Sequence, residues 1–477
     1  MSLYKKISHG FCKKVLMIAL MISPCILIAQ VQLPSLFADN MILQRKSTPP
    51  IWGKSVRNAK ISIKTSWNNK TYTATASDKG TWKVNVETAE AGGPYTITIK
   101  SGSETRTLSN VLLGEVWLCS GQSNMEMPVR GAMNQPVLNA NEIYLEADNP
   151  LIRIYKMERI AAGTPQDSCT GVWRESSAEV VKYFSTIGYL YAQLLQKKLN
   201  VPVGIIGSYW GGSAIQPWMT PESLADFGIK VPADLSKMTV PRRAAASLYH
   251  GMIAPLEGYG IRGFLWYQGE SNVEEPALYK RLLPALVKSW RSKWNNPELP
   301  FYYVQIAPYE YNGADSLRSA FLREAQLKAL DSISNSGMAI ALDAGEKTCI
   351  HPADKAIVAR RLAYIALNKT YNFKGIAYNG PVYQSHTVTD GKVNIQFRNA
   401  ENGITAYYKP VTLFEIAGSD KVFYPAEALI TKEKGITVWS DKVKVPVAIR
   451  YAFRNWVKGE IYNNEGIPMS SFRTDDW

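Results

Sequence analysis

Apolar and polar positions divide the 477-residue chain into stretches with different periods. From residue 31 to about 110 they alternate with a period of two, in Lys60-Ile61-Ser62-Ile63-Lys64, Lys70 to Ala76, Thr81 to Val86 and Pro94 to Ile99. Such alternation turns one face of a strand to a core and the other to water. Asn68-Asn69, Asp78-Lys79-Gly80 and Gly92-Gly93 supply the turns between them, because these residue types accept the backbone angles of tight connections. Short strands joined this way predict a small β-sandwich over residues 30–110. It serves as a scaffold or as a glycan-contacting accessory.

From about 111 to 375 the period changes. Short continuous apolar runs occur at Val116 to Cys119, Val203 to Ile206, Gly263 to Trp266, Phe301 to Val304 and Met338 to Leu342. Runs apolar on both faces suit the buried strands of a parallel sheet. Between them apolar residues recur at helical spacing. Tyr183 to Lys198 carries Phe184, Ile187, Tyr191 and Leu194, and Tyr279 to Trp294, Leu317 to Ala329 and Ala353 to Leu367 behave alike. The pattern predicts an α/β domain, a parallel sheet flanked by helices on both faces. Beyond about 376 alternating strands return at Val393 to Phe397 and Val443 to Tyr451, giving a C-terminal β-rich region over 376–477. Pro446 has no N–H to donate, so the second strand is expected at an edge.

Composition adds a compartment and removes some partners. Lys5, Lys6, Lys13 and Lys14 precede an apolar run from Val15 to Ala29, so residues 1–29 read as an export signal cleaved near Ala29 or Gln30. The run is too short for a comfortable membrane span, and the expected location is periplasmic or extracellular. Cleavage would remove four lysines and no acids, taking the formal charge from +14 to +10. A basic exported protein favours anionic substrates or surfaces, but no Lys/Arg cluster is dense enough for nucleic acid. The remaining cysteines, Cys119, Cys169 and Cys349, are odd in number, so no disulfide framework organises the chain. Neither Cys nor His shows metal-ligand spacing.

Four polar, glycine-containing stretches follow strands of the α/β region. They are Gly121-Gln122-Ser123-Asn124, Gly207 to Ser213, Tyr267 to Asn272, and Asp343 to His351. In a parallel sheet all four tips emerge on one edge, where open α/β sheets keep their chemistry. A hydroxyl, glycine amides, side-chain amides and an imidazole are the parts that acyl transfer needs. Each has a plainer reading alone. Ser123 could be an N-cap, Gly211-Gly212 a tight turn, Gln268 or Asn272 a backbone tie, and Glu270 a salt-bridge partner. Of the four histidines, His351 is the best placed to be a base.

Ser120-Gly121-Gln122-Ser123-Asn124-Met125 resembles the first block of the sialate O-acetylesterase family, within the SGNH or GDSL-like hydrolases. Trp210 to Trp218, Trp266-Tyr267-Gln268-Gly269-Glu270-Ser271-Asn272, and Ile350-His351-Pro352 with Lys355 resemble its later blocks. Leu33 to Met41, Phe414 to Gly418 and Ser471 to Asp475 extend the likeness over nearly the whole mature chain. The resemblance implies an SGNH-type catalytic domain over 111–375 and hydrolysis of an O-acetyl ester on a sugar, with 9-O-acetyl sialic acid as substrate. Ser123 would be the nucleophile and His351 the base. The amides of Ser123 and of Gly211 or Gly212, with Gln268 or Asn272, would hold the oxyanion. Gln122, Trp210 and Glu270 would contact substrate, and no cofactor or metal is implied.

One departure stands out. SGNH enzymes often carry an acid two or three residues before the histidine, where this chain has Cys349 and Thr348. Asp343 is the first candidate for a displaced acid, with Glu346, Asp354 and Glu270 further ones; otherwise a backbone carbonyl orients a Ser–His dyad. The alternatives are an acetyl-xylan or other polysaccharide esterase, and a non-catalytic glycan-binding protein on the same fold. A hydrolase using Cys119 is disfavoured because Cys119 lies within a strand run. A dehydrogenase is disfavoured because no Gly-x-Gly-x-x-Gly opens a helix after a strand. Sequence leaves the oligomeric state open.

Overall fold

The computed structural model describes residues 31–431 and 435–477, so the export signal expected over 1–29 lies outside the described residues. Six strands come first: β1 (Ile42–Gln44), β2 (Pro50–Lys54), β3 (Lys60–Thr65), β4 (Thr71–Thr75), β5 (Thr81–Asn85) and β6 (Gly92–Ser101). Their alternation is realised directly, since Ile61 and Ile63 of β3 are buried while Lys60 and Lys64 face solvent. β2 pairs with β5 antiparallel, and β3 lies between β4 and β6.

The strand that joins everything is β7 (Glu104–Gly121), 18 residues long. Its first half pairs antiparallel with β6, and Leu112 to Gly114 pair with β1. From Glu115 onward it enters a second set of partners, β8 (Asn149–Lys156), β9 (Trp173–Ser176), β10 (Val203–Tyr209), β11 (Gly263–Tyr267), β12 (Phe301–Val304) and β13 (Ser336–Ala339). Their order across the sheet is β13-β12-β11-β7-β10-β8-β9. Every pairing along it is parallel except that of the edge strand β9 with β8. The sheet is therefore mixed rather than purely parallel, and β7 sits at its centre.

Successive side chains of a strand point to opposite faces, and β7 shows it. Val116 and Leu118 join one apolar cluster, whereas Trp117 and Cys119 join the other. The helices are α1 (Ser123–Glu126), α2 (Ala140–Leu145), α3 (Ala178–Val181), α4 (Thr186–Leu199), α5 (Pro221–Ala225), α6 (Pro276–Lys293), α7 (Arg318–Ala329) and α8 (Lys355–Lys369). α4 and α8 pack together over the Trp117 face, and α6 and α7 over the other. Trp117 stacks on Tyr302 at 5.7 Å and meets Tyr191 edge-on at 5.3 Å. Burying a large apolar side chain of this kind stabilises by roughly 1.5–3 kcal/mol. No helix of the described residues is long and apolar enough to cross a membrane.

Further β-sheets complete the C-terminal part. The strand expected over Val443 to Tyr451 begins only at Ala448, past Pro446, and is not at an edge. It runs between Phe414–Ala417 and Phe472–Arg473 with all four residues buried. Proline thus delimits this strand instead of marking it as peripheral.

Candidate active site

The site forms where β7, β10 and β11 end side by side. Gly121 closes β7 with φ +134°, and a Cβ there would stand 2.1 Å from the carbonyl oxygen of Tyr267 on β11. Only glycine permits that approach. The next amide, that of Gln122, donates to the same carbonyl at 2.9 Å. The chain then turns into α1 and lifts Ser123, half-buried, off the edge of the sheet.

His351 comes to it from the loop before α8. Its Nε2 lies 2.7 Å from Ser123 Oγ and its Nδ1 lies 2.8 Å from the Oε1 of Gln135. An amide oxygen only accepts, so Nδ1 carries the proton and Nε2 presents its lone pair to the hydroxyl. Burial and the positive charge of Lys355 lower the His351 pKa to about 4. The ring is therefore neutral near pH 7, the form a general base requires.

The acid expected to orient this histidine is not where sequence put it. Asp343 makes a two-pronged ion pair with Arg361, 2.7 Å on each prong, while His351 Nδ1 is on Gln135. Glu346 accepts the Ala353 amide at 2.7 Å, and Asp354 caps α8 by accepting from the Ile357 amide. Gln135, which sequence reasoning passed over, holds the position instead. It lies in a loop after α1, away from any strand end, so neither charge nor placement marked it.

Several residues expected to contact substrate or oxyanion are internal ties. Gln122 is buried, and its Oε1 accepts from Gln268 Nε2 at 3.1 Å and from the amides of Gly269 and Ser271. Gln268 is fully buried, with its Nε2 also directed at Asn272 Oδ1 and the Ser213 carbonyl. Asn272 donates to Gln216 Oε1 and accepts the Ile215 amide at 2.9 Å. These amides stitch the second and third loops to the first, with Gln122, expected at the substrate, and Gln268 and Asn272, expected at the oxyanion, bonded within the protein. Glu270 is likewise buried and turned inward. Its Oε1 accepts from Asn124 Nδ2 at 2.5 Å, while Asn124 also reaches the Ile350 carbonyl and accepts from Lys355 Nζ at 2.6 Å. Burial raises the Glu270 pKa; burial also lowers that of Lys355, to about 8, against the pull of Glu270.

The backbone amides of Ser123 and Gly212 are among those at the site that carry no hydrogen bond among the described residues. The Gly211 amide differs, since it donates to Glu126 Oε2 at 2.7 Å, and Glu126 also pairs with Arg159. Trp210 is half-buried beside this turn with Arg242 over its ring at 6.0 Å. Cys119 is fully buried against Gly188 of α4, and burial pushes its thiol pKa up, so it is no alternative nucleophile. Cys119, Cys169 and Cys349 are all free thiols. The arrangement supplies a hydroxyl, a neutral base and open amides within one edge, which is equipment for acyl transfer.

Comparison with known proteins agrees with that chemistry. Residues 113–363 match the model of the family described as carbohydrate esterase, sialic acid-specific acetylesterase. Sialate O-acetylesterases of Pongo abelii and Homo sapiens are each 28% identical over 462 residues, covering 88% of this chain and 86% of theirs. The crystal structure of a carbohydrate acetylesterase from Xanthomonas citri superposes with a TM-score of 0.85 at 33% identity, over 94% of this chain and 100% of that one.

Proposed function

The chain belongs to the sialic acid-specific acetylesterase family of carbohydrate esterases and is an esterase; on that premise we propose that it hydrolyses sugar O-acetyl esters through an acetyl-enzyme on Ser123. His351 Nε2 takes the hydroxyl proton as Ser123 Oγ bonds to the acetyl carbon. The amides of Ser123 and Gly212 receive the oxyanion. Collapse breaks the ester bond, and the sugar oxygen leaves with the proton held by His351. Water then gives its proton to His351 and attacks the acetyl carbon, releasing acetate and restoring Ser123. The observation that carries this reading is the 2.7 Å contact between Ser123 Oγ and His351 Nε2 at the end of β7.

The same reading makes residues 111–375 an SGNH-type catalytic domain between a β-sandwich over 30–110 and a β-rich region over 376–477. The export signal read over 1–29 would place the enzyme in the periplasm or outside the cell. Sialic acid bearing a 9-O-acetyl group is the proposed substrate, and a cationic flank supports it. Arg242 Nη2 comes within 3.8 Å of where a Gly212 Cβ would stand. A second reading, an acetylated neutral polysaccharide, has one finding in its favour. The 33% identical relative is described as a carbohydrate acetylesterase with no sugar named. Acetate release from 9-O-acetyl sialic acid and from acetylated xylan separates the two. Sialate turnover at least tenfold above xylan supports the first reading, and the reverse supports the second. Binding of both without acetate release would leave a non-catalytic glycan-binding protein.

A further inference from the structure

The orienting partner of the base is a carboxamide. Gln135 closes a tight loop in which the Ala132 and Gln135 amides exchange hydrogen bonds at 3.0 Å. Gly131 enters this loop at φ +70°, and a Cβ on it would stand 2.5 Å from the Gln135 carbonyl oxygen. Three residues on, the Leu138 amide donates to the Ala353 carbonyl at 3.0 Å, tying the loop to the segment that carries His351. The loop backbone is thus tied on both sides of Gln135, whose side chain meets the imidazole edge opposite Ser123.

We propose that Gln135 is a positioning residue for ester hydrolysis, its amide oxygen fixing the reactive tautomer of His351 without supplying a negative charge. This rests on the assignment of Ser123 and His351 made above. In triads with a carboxylate, the anion both orients the ring and stabilises the imidazolium. Gln135 performs only the first task, so the base stays neutral into more acidic solution. The groups facing His351 agree. Ser123 on α1 and Gln135 on its loop are uncharged, and Lys355 on α8 opposes protonation. Cys349 turns its thiol to the His351 carbonyl, Glu346 is on the Ala353 amide, and Glu270 is reached only through Asn124.

The test is steady-state kinetics of the full chain on 4-nitrophenyl acetate and an acetylated sugar, as a function of pH, for wild type, Gln135→Ala, Gln135→Glu and Ser123→Ala. Unfolding midpoints verify that each variant is folded. Gln135→Ala should lower kcat roughly tenfold or more with KM within about twofold, as expected of a group acting in the chemical step. Gln135→Glu should retain activity, with the acid limb of kcat/KM moved upward by about 1–3 pH units, because an adjacent carboxylate favours the imidazolium. A folded Gln135→Ala enzyme with unchanged kcat, or a Gln135→Glu enzyme with an unmoved acid limb, overturns the inference. Activity surviving in Ser123→Ala would instead overturn the nucleophile assignment on which it rests.

Discussion

The two ends of the parallel segment of β7 treat a buried carboxyl group in opposite ways. At its start Glu115, 0% exposed, faces Arg45 Nε at 2.6 Å and Arg262 Nε at 2.7 Å, with the Tyr371 hydroxyl at 3.0 Å. Burial alone would raise its pKa, but the two guanidinium groups override burial and hold it below the usual carboxylate range. At the other end Glu270, 7% exposed, meets Asn124 with one oxygen, and its Oε2 has no partner among the described residues. Burial raises its pKa. Surplus cations make the first end a fastening between the N-terminal strands and the sheet. The second end shares one lysine through one amide, and there the proposed nucleophile and base converge. Stability and chemistry are thus assigned to opposite ends of a single strand.

Substitutions at the two ends should therefore report on different measurements. The largest effect is expected from His351→Ala, with kcat falling by about 10³-fold or more while the unfolding midpoint stays near wild type. Comparable losses of both stability and activity would erase the contrast. Glu115→Ala should do the reverse. Removing one partner from a buried ionic cluster costs about 3–5 kcal/mol, read as a lower denaturant midpoint, while acetate release per folded molecule changes little. Asn124→Ala comes next, since it cuts the link from Glu270 and Lys355 to the Ile350 carbonyl. It should lower kcat roughly ten- to a hundredfold with at most about 2 kcal/mol of destabilisation.

The smallest effect sharpens the comparison by its sign. A depressed folded pKa contributes stability above the ordinary carboxylate value that is lost as pH falls through the depressed value. Glu115→Gln should then destabilise near pH 7 and matter progressively less in acid. A raised folded pKa works the other way, favouring the folded state most at low pH, with that advantage lost as pH rises through the raised value. Glu270→Gln should be neutral or slightly stabilising near pH 7, by up to about 1 kcal/mol. Chemical denaturation of both variants across pH 4 to 8, at about unit intervals, decides it; shifts of the same sign at pH 7 would break the contrast.

How much of this was legible in sequence depended on what each residue had to satisfy. Val203 to Ile206, Gly263 to Trp266 and Phe301 to Val304 are strands buried on both faces, so their composition alone marked them. β8 escaped notice because Arg153 sits within it, buried and bonded to Glu175 and Asn110. Pairing satisfied in space cannot be seen along the chain. Met338 to Leu342 was placed slightly late, since the apolar run continues beyond the last paired residue, Ala339. The meeting of Ser123 and His351 was legible because a hydroxyl at a strand end and a scarce imidazole have few other uses there. The inward amides Gln122, Gln268 and Asn272 were not, because the same residue types serve equally as donors to a ligand or as ties between loops. Gln135 carried no signal at all. Its role depends on a loop closing over the site from beyond α1.

The most direct measurement is mass spectrometry of the protein quenched during turnover of an acetylated sugar, with acetate release followed in parallel for wild type and Ser123→Ala. An acetyl group on the peptide containing Ser123 in wild type, absent together with acetate release in Ser123→Ala, is the predicted result. Acetate released equally by both proteins, or an acetyl group carried on another residue, would contradict Ser123 as the nucleophile.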